Sequence, residues 1–227
     1  MKYRHKPRSK LGAVIFDLDG TLVDSAADIA RSLNHALSCE GLATVPLANV
    51  RTMIGDGVAA LVRKAIDHQG AAVDPARCNR VTARFMTFAH SVPVNASTLY
   101  PGTENLLRRL RRDGVRLGVC TNKPHDLAGR VLQMLGAAEI IDGWIGGGHF
   151  AMKPDPSSLL AVIEELGATP DATVYVGDMR VDYLTALNAD TAFIGVNFGA
   201  WRYDLPDMDK PCVVMSMEEL RKGLVAE

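Results

Sequence analysis

The hydrophobic rhythm of the chain changes twice. It opens with a short, wholly apolar run at residues 13–16 (A-V-I-F) with β-branched members, the pattern of a strand buried on both faces. From residue 26 the apolar positions recur at helical spacing: Ala26, Ile29, Ala30, Leu33 and Leu37, fading near Gly41, with Asp24 and Ser25 as a candidate N-cap pair. A second helix is expected from Pro46 with Val50, Met53 and Ile54, followed by the break Gly55-Asp56-Gly57. A third presents Val58, Leu61, Val62, Ala65 and Ile66 on one face, and a fourth, from about Pro75, carries Val81, Phe85 and Phe88. Residues 25–95 contain no convincing strand.

From Tyr100 strands and helices alternate. A helix through Leu106, Leu107 and Leu110 precedes a strand over 115–120, a helix over 124–135, an apolar run near 140–145 and a helix over 156–166. A strand over 173–176, a helix over 181–188, strands over 192–196 and 212–215 and a helix over 217–225 follow. Such alternation predicts βαβ units and a parallel sheet with helices on both faces. The expected organisation is an α/β core from residues 1–24 and 97–227, interrupted by an all-helical insert over 25–96. An insert that leaves directly after the first strand stands close to that strand's end, as a lid does.

The chain is long enough, at 227 residues and 48% hydrophobic, to bury a sizeable core. Its formal net charge of −1 gives no whole-chain drive toward nucleic acid or membrane, and no apolar run approaches the length of a membrane span. The basic segment over 2–10 reads as a frayed, solvated arm. Four scattered cysteines without a C-x-x-C pair read as reduced thiols buried as small hydrophobes in a cytoplasmic protein. Six histidines show no ligand spacing that would point to zinc.

The candidate chemistry lies where strands end. The first apolar run stops at Asp17 and Asp19, then Gly20 and Thr21. A buried carboxylate is costly without a partner, so acids at this point make sense at the carboxyl edge of a parallel sheet, where α/β proteins place ligands. In an extended segment Asp17 and Asp19 face the same way, and such oxygen-rich groups suit a hard cation such as Mg²⁺. A simple Asp-Gly turn would give the same letters. Two later strands end in Thr121-Asn122 and in Gly177-Asp178, and Lys153 precedes the turn Pro154-Asp155-Pro156. Taken singly, Thr121-Asn122 and Asp178 also fit helix caps, and Lys153 a solvated loop. Together they supply carboxylates, a hydroxyl, an amide and an ammonium, the parts that phosphoryl transfer needs.

Four segments in order, D-L-D-G-T-L-V-D-S, V-C-T-N-K, K-P-D-P and G-D-M-R-V-D, resemble the motifs of the haloacid dehalogenase (HAD) superfamily, specifically its phosphatases with a helical cap inserted after the first motif. The resemblance implies a Rossmann-like parallel core with an inserted all-helical cap domain. It implies Asp17 as nucleophile and Asp19 as general acid/base. Mg²⁺ would be held by the Asp17 side chain, the Asp19 carbonyl and Asp178, with Asp182 in support; a surface salt bridge is the other possibility for Asp182. Thr121 and the Asn122 backbone would bind phosphoryl oxygens, and Lys153 would neutralise them and keep Asp17 ionised. An acid two residues after the nucleophile favours phosphate-ester hydrolysis over the dehalogenase and phosphonatase reactions. Met179 departs from the small hydroxyl residue frequent at that position.

Within the superfamily the chain most resembles bacterial phosphoglycolate phosphatases, by length, cap size and the segment I-G-D-G-V over 54–58. Gly55 and Gly57 would let backbone N–H groups approach an anion, or would simply turn the chain between helices. Arg51, with Arg63 and Lys64, would read a carboxylate or second anionic group, or form a solvated helix face. The expectation is therefore a Mg²⁺-dependent phosphatase of a small phosphorylated metabolite, 2-phosphoglycolate before others, as a monomer or homodimer with no nucleic-acid or membrane partner. A hexose-phosphate mutase of the β-phosphoglucomutase type, a sugar-phosphate phosphatase and a catalytically idle binding module are the alternatives.

Overall fold

The computed structural model describes residues 6–198 and 212–224. Six strands form one parallel sheet: β1 (Ala13–Phe16), β4 (Arg116–Pro124), β5 (Gly143–Gly147), β6 (Thr173–Gly177), β7 (Ala192–Val196) and β8 (Cys212–Val214). Their order across the sheet is β5-β4-β1-β6-β7-β8, which puts β1 between β4 and β6.

Residues alternate strictly between the two faces of this sheet. Val14 and Phe16 of β1, with Leu117 and Val119 of β4 and Val174 and Val176 of β6, pack against α5 (Thr103–Arg112), α6 (His125–Met134) and α9 (Met217–Leu224). Ala13 and Ile15, with Tyr175 and Phe193, pack against α7 (Ser157–Glu165) and α8 (Arg180–Asn188). All four residues of β1 are fully buried, as an apolar run without polar interruption requires when helices cover both faces.

The insert builds its own core. Helices α1 (Ala26–Ser38), α2 (Leu47–Arg51), α3 (Gly57–Asp67) and α4 (Pro75–Ser91) share a separate cluster that includes Leu33, Leu37, Val62, Ile66, Val81 and Phe85. Asp74 caps α4 by accepting from the N–H groups of Ala76 and Arg77. A two-stranded antiparallel ribbon, β2 (Val23–Asp24) with β3 (Thr98–Leu99), joins the two connections between insert and core. Sequence patterning does not show this ribbon, because two-residue strands carry no periodicity. Asp28 reinforces it, accepting from the N–H groups of Ala96 and Ser97 at 3.1 and 2.8 Å.

Three expectations are corrected. The basic arm is docked over its described part: the N–H groups of Arg8 and Ser9 donate to the Asp171 carbonyl at 2.8 and 3.0 Å, and the Arg8 guanidinium pairs with Asp171 and Asp190. Residues 2–5 of that arm lie outside the described residues. Cys39 is exposed at the end of α1, and Cys78 half-buried, so of the described thiols only Cys120 is a core hydrophobe. The apolar run near 140–145 splits: Ile140 and Ile141 fill the core from a turn, and the strand itself begins at Gly143. The end of the last expected helix, at residue 225, also lies outside the described residues. Among the described residues no helix is long and apolar enough to cross a membrane.

Candidate active site

Because β1, β4 and β6 are neighbours and parallel, their carboxyl ends open into one crevice, at the point where connections diverge to opposite sides of β1. Asp17 follows β1 without a break, its N–H still donating to the Val176 carbonyl at 2.8 Å. Asp178 follows β6, and Asp182 stands in the first turn of α8, where its Oδ2 accepts from the Met179 N–H at 3.0 Å. β4 runs further than the sequence suggested. A register shift between Cys120 and Pro124 distorts its end, so that Thr121 and Asn122 occupy an irregular segment of strand rather than a loop.

Lys153, from the turn before α7, lies at the centre. Its Nζ donates to Asp17 Oδ1 at 2.7 Å, Asp182 Oδ1 at 2.6 Å and the Tyr175 hydroxyl at 2.9 Å. All three charged residues are buried, with Asp17 and Lys153 at 6% exposure and Asp182 at 0%. Burial alone would discharge the lysine, but the two carboxylates outweigh it and hold the ammonium charged above its ordinary range. Asp17 is pushed up to about 6, by burial first, against the opposing pull of Lys153 and with a further push from Asp182. Asp178 is pushed well above the usual carboxylate range by burial and by Asp182 and Asp17.

These shifts record a charge imbalance that a metal ion fits. Single oxygens of Asp17, Asp178 and Asp182 lie within 4.8 Å of one another. Three carboxylates set against one ammonium leave two negative charges. Asp178 Oδ1 accepts from Thr21 Oγ1 at 2.7 Å, whereas its buried Oδ2 has no hydrogen-bond partner. A Cβ on Gly20 would lie 2.4 Å from that same Oδ2, so glycine keeps the approach to it open. A hard divalent cation is matched by such an oxygen set and would reverse the upward shift of both acids. Asp182 differs from the other two, because both of its oxygens already accept from donors.

Asp19 faces the insert side of the site. Lys123 Nζ lies 3.0 and 3.2 Å from its two oxygens, and Ser25 Oγ donates to Oδ1 at 2.5 Å. Ser25 thus binds Asp19 instead of capping α1 with its side chain. Thr121 is buried, its Oγ1 accepting from the Lys123 N–H at 3.3 Å. Asn122 Oδ1 accepts from the Lys153 N–H at 2.9 Å, and its Nδ2 donates to the Gly55 carbonyl at 3.0 Å.

That last bond brings the loop over 54–58 onto the core. Gly55 and Gly57 have φ of 120° and 81°, a region that excludes most side chains. A Cβ on Gly55 would lie 2.1 Å from Met179 Sδ, and one on Gly57 2.4 Å from Met152 Cε. Met179 is therefore the seat of the insert loop. Arg51 is placed elsewhere: both Nη atoms pair with Asp24 at 3.0 Å, at the β2–β3 ribbon and outside the cleft lining. Lys64 pairs with Asp56 at 2.6 Å. Neither is a loose solvated cation, and the bidentate geometry of Arg51 matches one carboxylate.

The sequence did not place Lys123, Ser25 or Tyr175 in the site; Ser25 reads there as a helix cap. Lys123 stands two residues beyond Thr121 on a strand end, a spacing that shares a face, and this was the available signal. Tyr175 gave none, because a buried strand tyrosine reads as core.

A model of the haloacid dehalogenase-like hydrolases matches residues 14–196. The chain belongs to this family. A phosphoglycolate phosphatase of Cereibacter sphaeroides is 40% identical over 181 residues, covering 79% of this chain and 82% of the relative. One of Agrobacterium fabrum is 34% identical over 220 residues, covering 96% and 94%. Among solved structures, a "predicted phosphoglycolate phosphatase" of Haemophilus somnus superposes with a TM-score of 0.84 at 27% identity, covering 94% of this chain and 98% of the other. A protein of Lactobacillus delbrueckii subsp. bulgaricus gives 0.88 at 26%, covering 96% and 100%.

Proposed function

We propose that this phosphatase, a phosphoric monoester hydrolase of the HAD-like family, acts on 2-phosphoglycolate through an aspartyl-phosphate intermediate, with Mg²⁺ as cofactor. The observation that carries the mechanism is the Asp17–Lys153–Asp182 arrangement, in which one buried ammonium bridges two carboxylates at 2.7 and 2.6 Å. An ammonium fixed there keeps Asp17 available as a nucleophile and offsets charge on the phosphoryl oxygens. The substrate assignment is supported by relatives of that name at 34–40% identity over most of the chain.

In this mechanism Asp17 attacks phosphorus, and Asp19 gives a proton to the leaving oxygen and then takes one from the attacking water. Thr121 Oγ1 and the Asn122 N–H hold the phosphoryl oxygens. Asp182 keeps Lys153 in place. Mg²⁺, held by Asp17, the Asp19 carbonyl and Asp178, would add positive charge beside the phosphoryl group. Residues 25–96 act as a cap whose loop at Gly55 and Gly57 closes over the substrate, and Arg51 braces the hinge through Asp24.

The test is steady-state hydrolysis of a panel of phosphorylated metabolites that includes 2-phosphoglycolate and hexose phosphates. Preference for 2-phosphoglycolate, dependent on added Mg²⁺, is expected. A hexose phosphate with kcat/KM tenfold higher would reject the substrate, and formation of an isomerised sugar phosphate would reject simple hydrolysis.

A further inference from the structure

The cleft at Asp17 and Asp19 continues past them, between the insert and the core. Beyond Asp19 and Lys123 the walls come from α1, α3, α4 and α6, and much of their surface is apolar: Ile29, Val58, Leu61, Phe85, Leu127 and Val131 line them, beside Asp28, Arg31 and Arg130. Leu61, Phe85 and Val131 are each 4% exposed although they face this space.

The charged side chains of the chamber are engaged by the protein itself. Arg130 donates to the carbonyls of Ala89, His90 and Val92 at 2.8–3.0 Å. Arg31 donates to the Pro93 carbonyl and Asn95 Oδ1, and its Nη2 lies 3.0 Å from Asp28 Oδ1, which leaves Nε without a hydrogen bond. Asp28 Oδ2 accepts from Ala96 and Ser97. A ligand in the chamber meets hydrocarbon for the most part, while its phosphoryl end meets Asp17.

We infer that the site also hydrolyses phosphate monoesters of apolar alcohols, with the hydrocarbon lying in the chamber between α1, α3, α4 and α6. This rests on the phosphatase reading above. The Asp17 oxygen forms a bond to phosphorus as the bond from phosphorus to the alcohol oxygen breaks. The proton from Asp19 goes to that oxygen, releasing the alcohol. Water, losing its proton to Asp19, then cleaves the aspartyl phosphate to give inorganic phosphate and Asp17.

The test compares kcat/KM for methyl, ethyl, butyl and hexyl phosphate on the full-length protein with Mg²⁺. Beyond ethyl the leaving alcohols are chemically near-equivalent, so chain length reports burial. Each methylene entering the chamber should raise kcat/KM by up to about four-fold, until the space is filled. Leu61→Trp, which occupies the chamber, should flatten that rise, measured against the same variant's rate on methyl phosphate. Leu127→Trp from the opposite wall should do the same, should the first variant fold poorly. A flat wild-type series, with methyl phosphate and 2-phosphoglycolate still hydrolysed, overturns the inference and spares the phosphatase reading. A rise that neither tryptophan alters also overturns it, since the chain then binds elsewhere. Hydrolysis of no ester in the series, nor of 2-phosphoglycolate, overturns both.

Discussion

The Asn122 side-chain amide donates to the Gly55 carbonyl at 3.0 Å, while its oxygen accepts from the Lys153 N–H at 2.9 Å. One residue at a strand end thus touches both the insert loop and the turn that carries the central lysine. Asn122→Ala removes both bonds and leaves a buried N–H without a partner, a loss of about 1–3 kcal/mol. The expected result is a lower melting temperature and a kcat/KM down by about ten-fold or more, read by thermal melts and p-nitrophenyl phosphate hydrolysis. Unchanged kinetics would mean that the loop and the lysine turn are not coupled through this amide.

In the proposed mechanism Asp17 carries the covalent step. Asp17→Asn removes the nucleophilic oxygen but keeps the shape, and it also removes a buried charge that burial and Asp182 already disfavour. Turnover should vanish while the melting temperature holds or rises. Asp19→Asn should come close to the same loss of turnover. Hydrolysis surviving in the Asp17 variant at more than trace rate would remove the aspartyl phosphate from the mechanism.

Much of this site was legible in the sequence for a physical reason. A wholly apolar strand ending in acids, such as Ala13–Phe16 before Asp17, is poorly explained by folding alone. The same holds for Asp178 after β6 and Thr121 on β4. What the letters did not show was pairing across distance. Arg51 read as an anion-binding cation because its partner, Asp24, lies in a ribbon of two-residue strands that leaves no periodic trace. Ser25 read as a helix cap because the spacing from Asp19 says nothing about where the turn at Gly20 sends its hydroxyl. Met179 looked like a lost polar contact, and it is the surface on which Gly55 rests.

That seat can be tested at Gly55. An alanine there faces two separate penalties, a φ of 120° and a Cβ 2.1 Å from Met179 Sδ. Backbone strain of this kind costs roughly 1–3 kcal/mol. Gly55→Ala should therefore lower stability by that order and reduce kcat/KM. Adding Met179→Ala removes the collision and not the dihedral strain, so it should recover part of the loss only. Full recovery in the double variant would show that the loop tolerates the dihedral, and no recovery would show that the methionine gives way on its own.

Arg51 separates a hinge role from a substrate role. Its ion pair with Asp24 is about one-third exposed on both sides, and pairs of this kind contribute about 0–1 kcal/mol. Arg51→Ala should shift the melting temperature slightly and leave KM for 2-phosphoglycolate within about three-fold. A cation that reads the substrate carboxylate would instead raise KM by tenfold or more. Such a rise would bring Arg51 back into the cleft.

The metal-free protein should have an unusual pH profile. Asp17 titrates near 6 when folded and at the ordinary carboxylate value when unfolded, so the folded state binds the proton more tightly. Stability tied to that proton is complete below the unfolded pKa of about 4 and is lost as pH rises through about 6. Melting of the EDTA-treated protein should therefore drop between pH 4.5 and 7, by on the order of 1–3 kcal/mol, the opposite of a typical salt-bridged acid. Adding Mg²⁺ at pH 7 should recover this loss, because a cation held by Asp17 and Asp178 would bind only the folded arrangement and favour its ionised form. In Asp17→Asn the drop should shrink. A metal-free protein that grows more stable from pH 4.5 to 7, with no response to Mg²⁺, would mean that Asp17 and Asp178 do not share a cation.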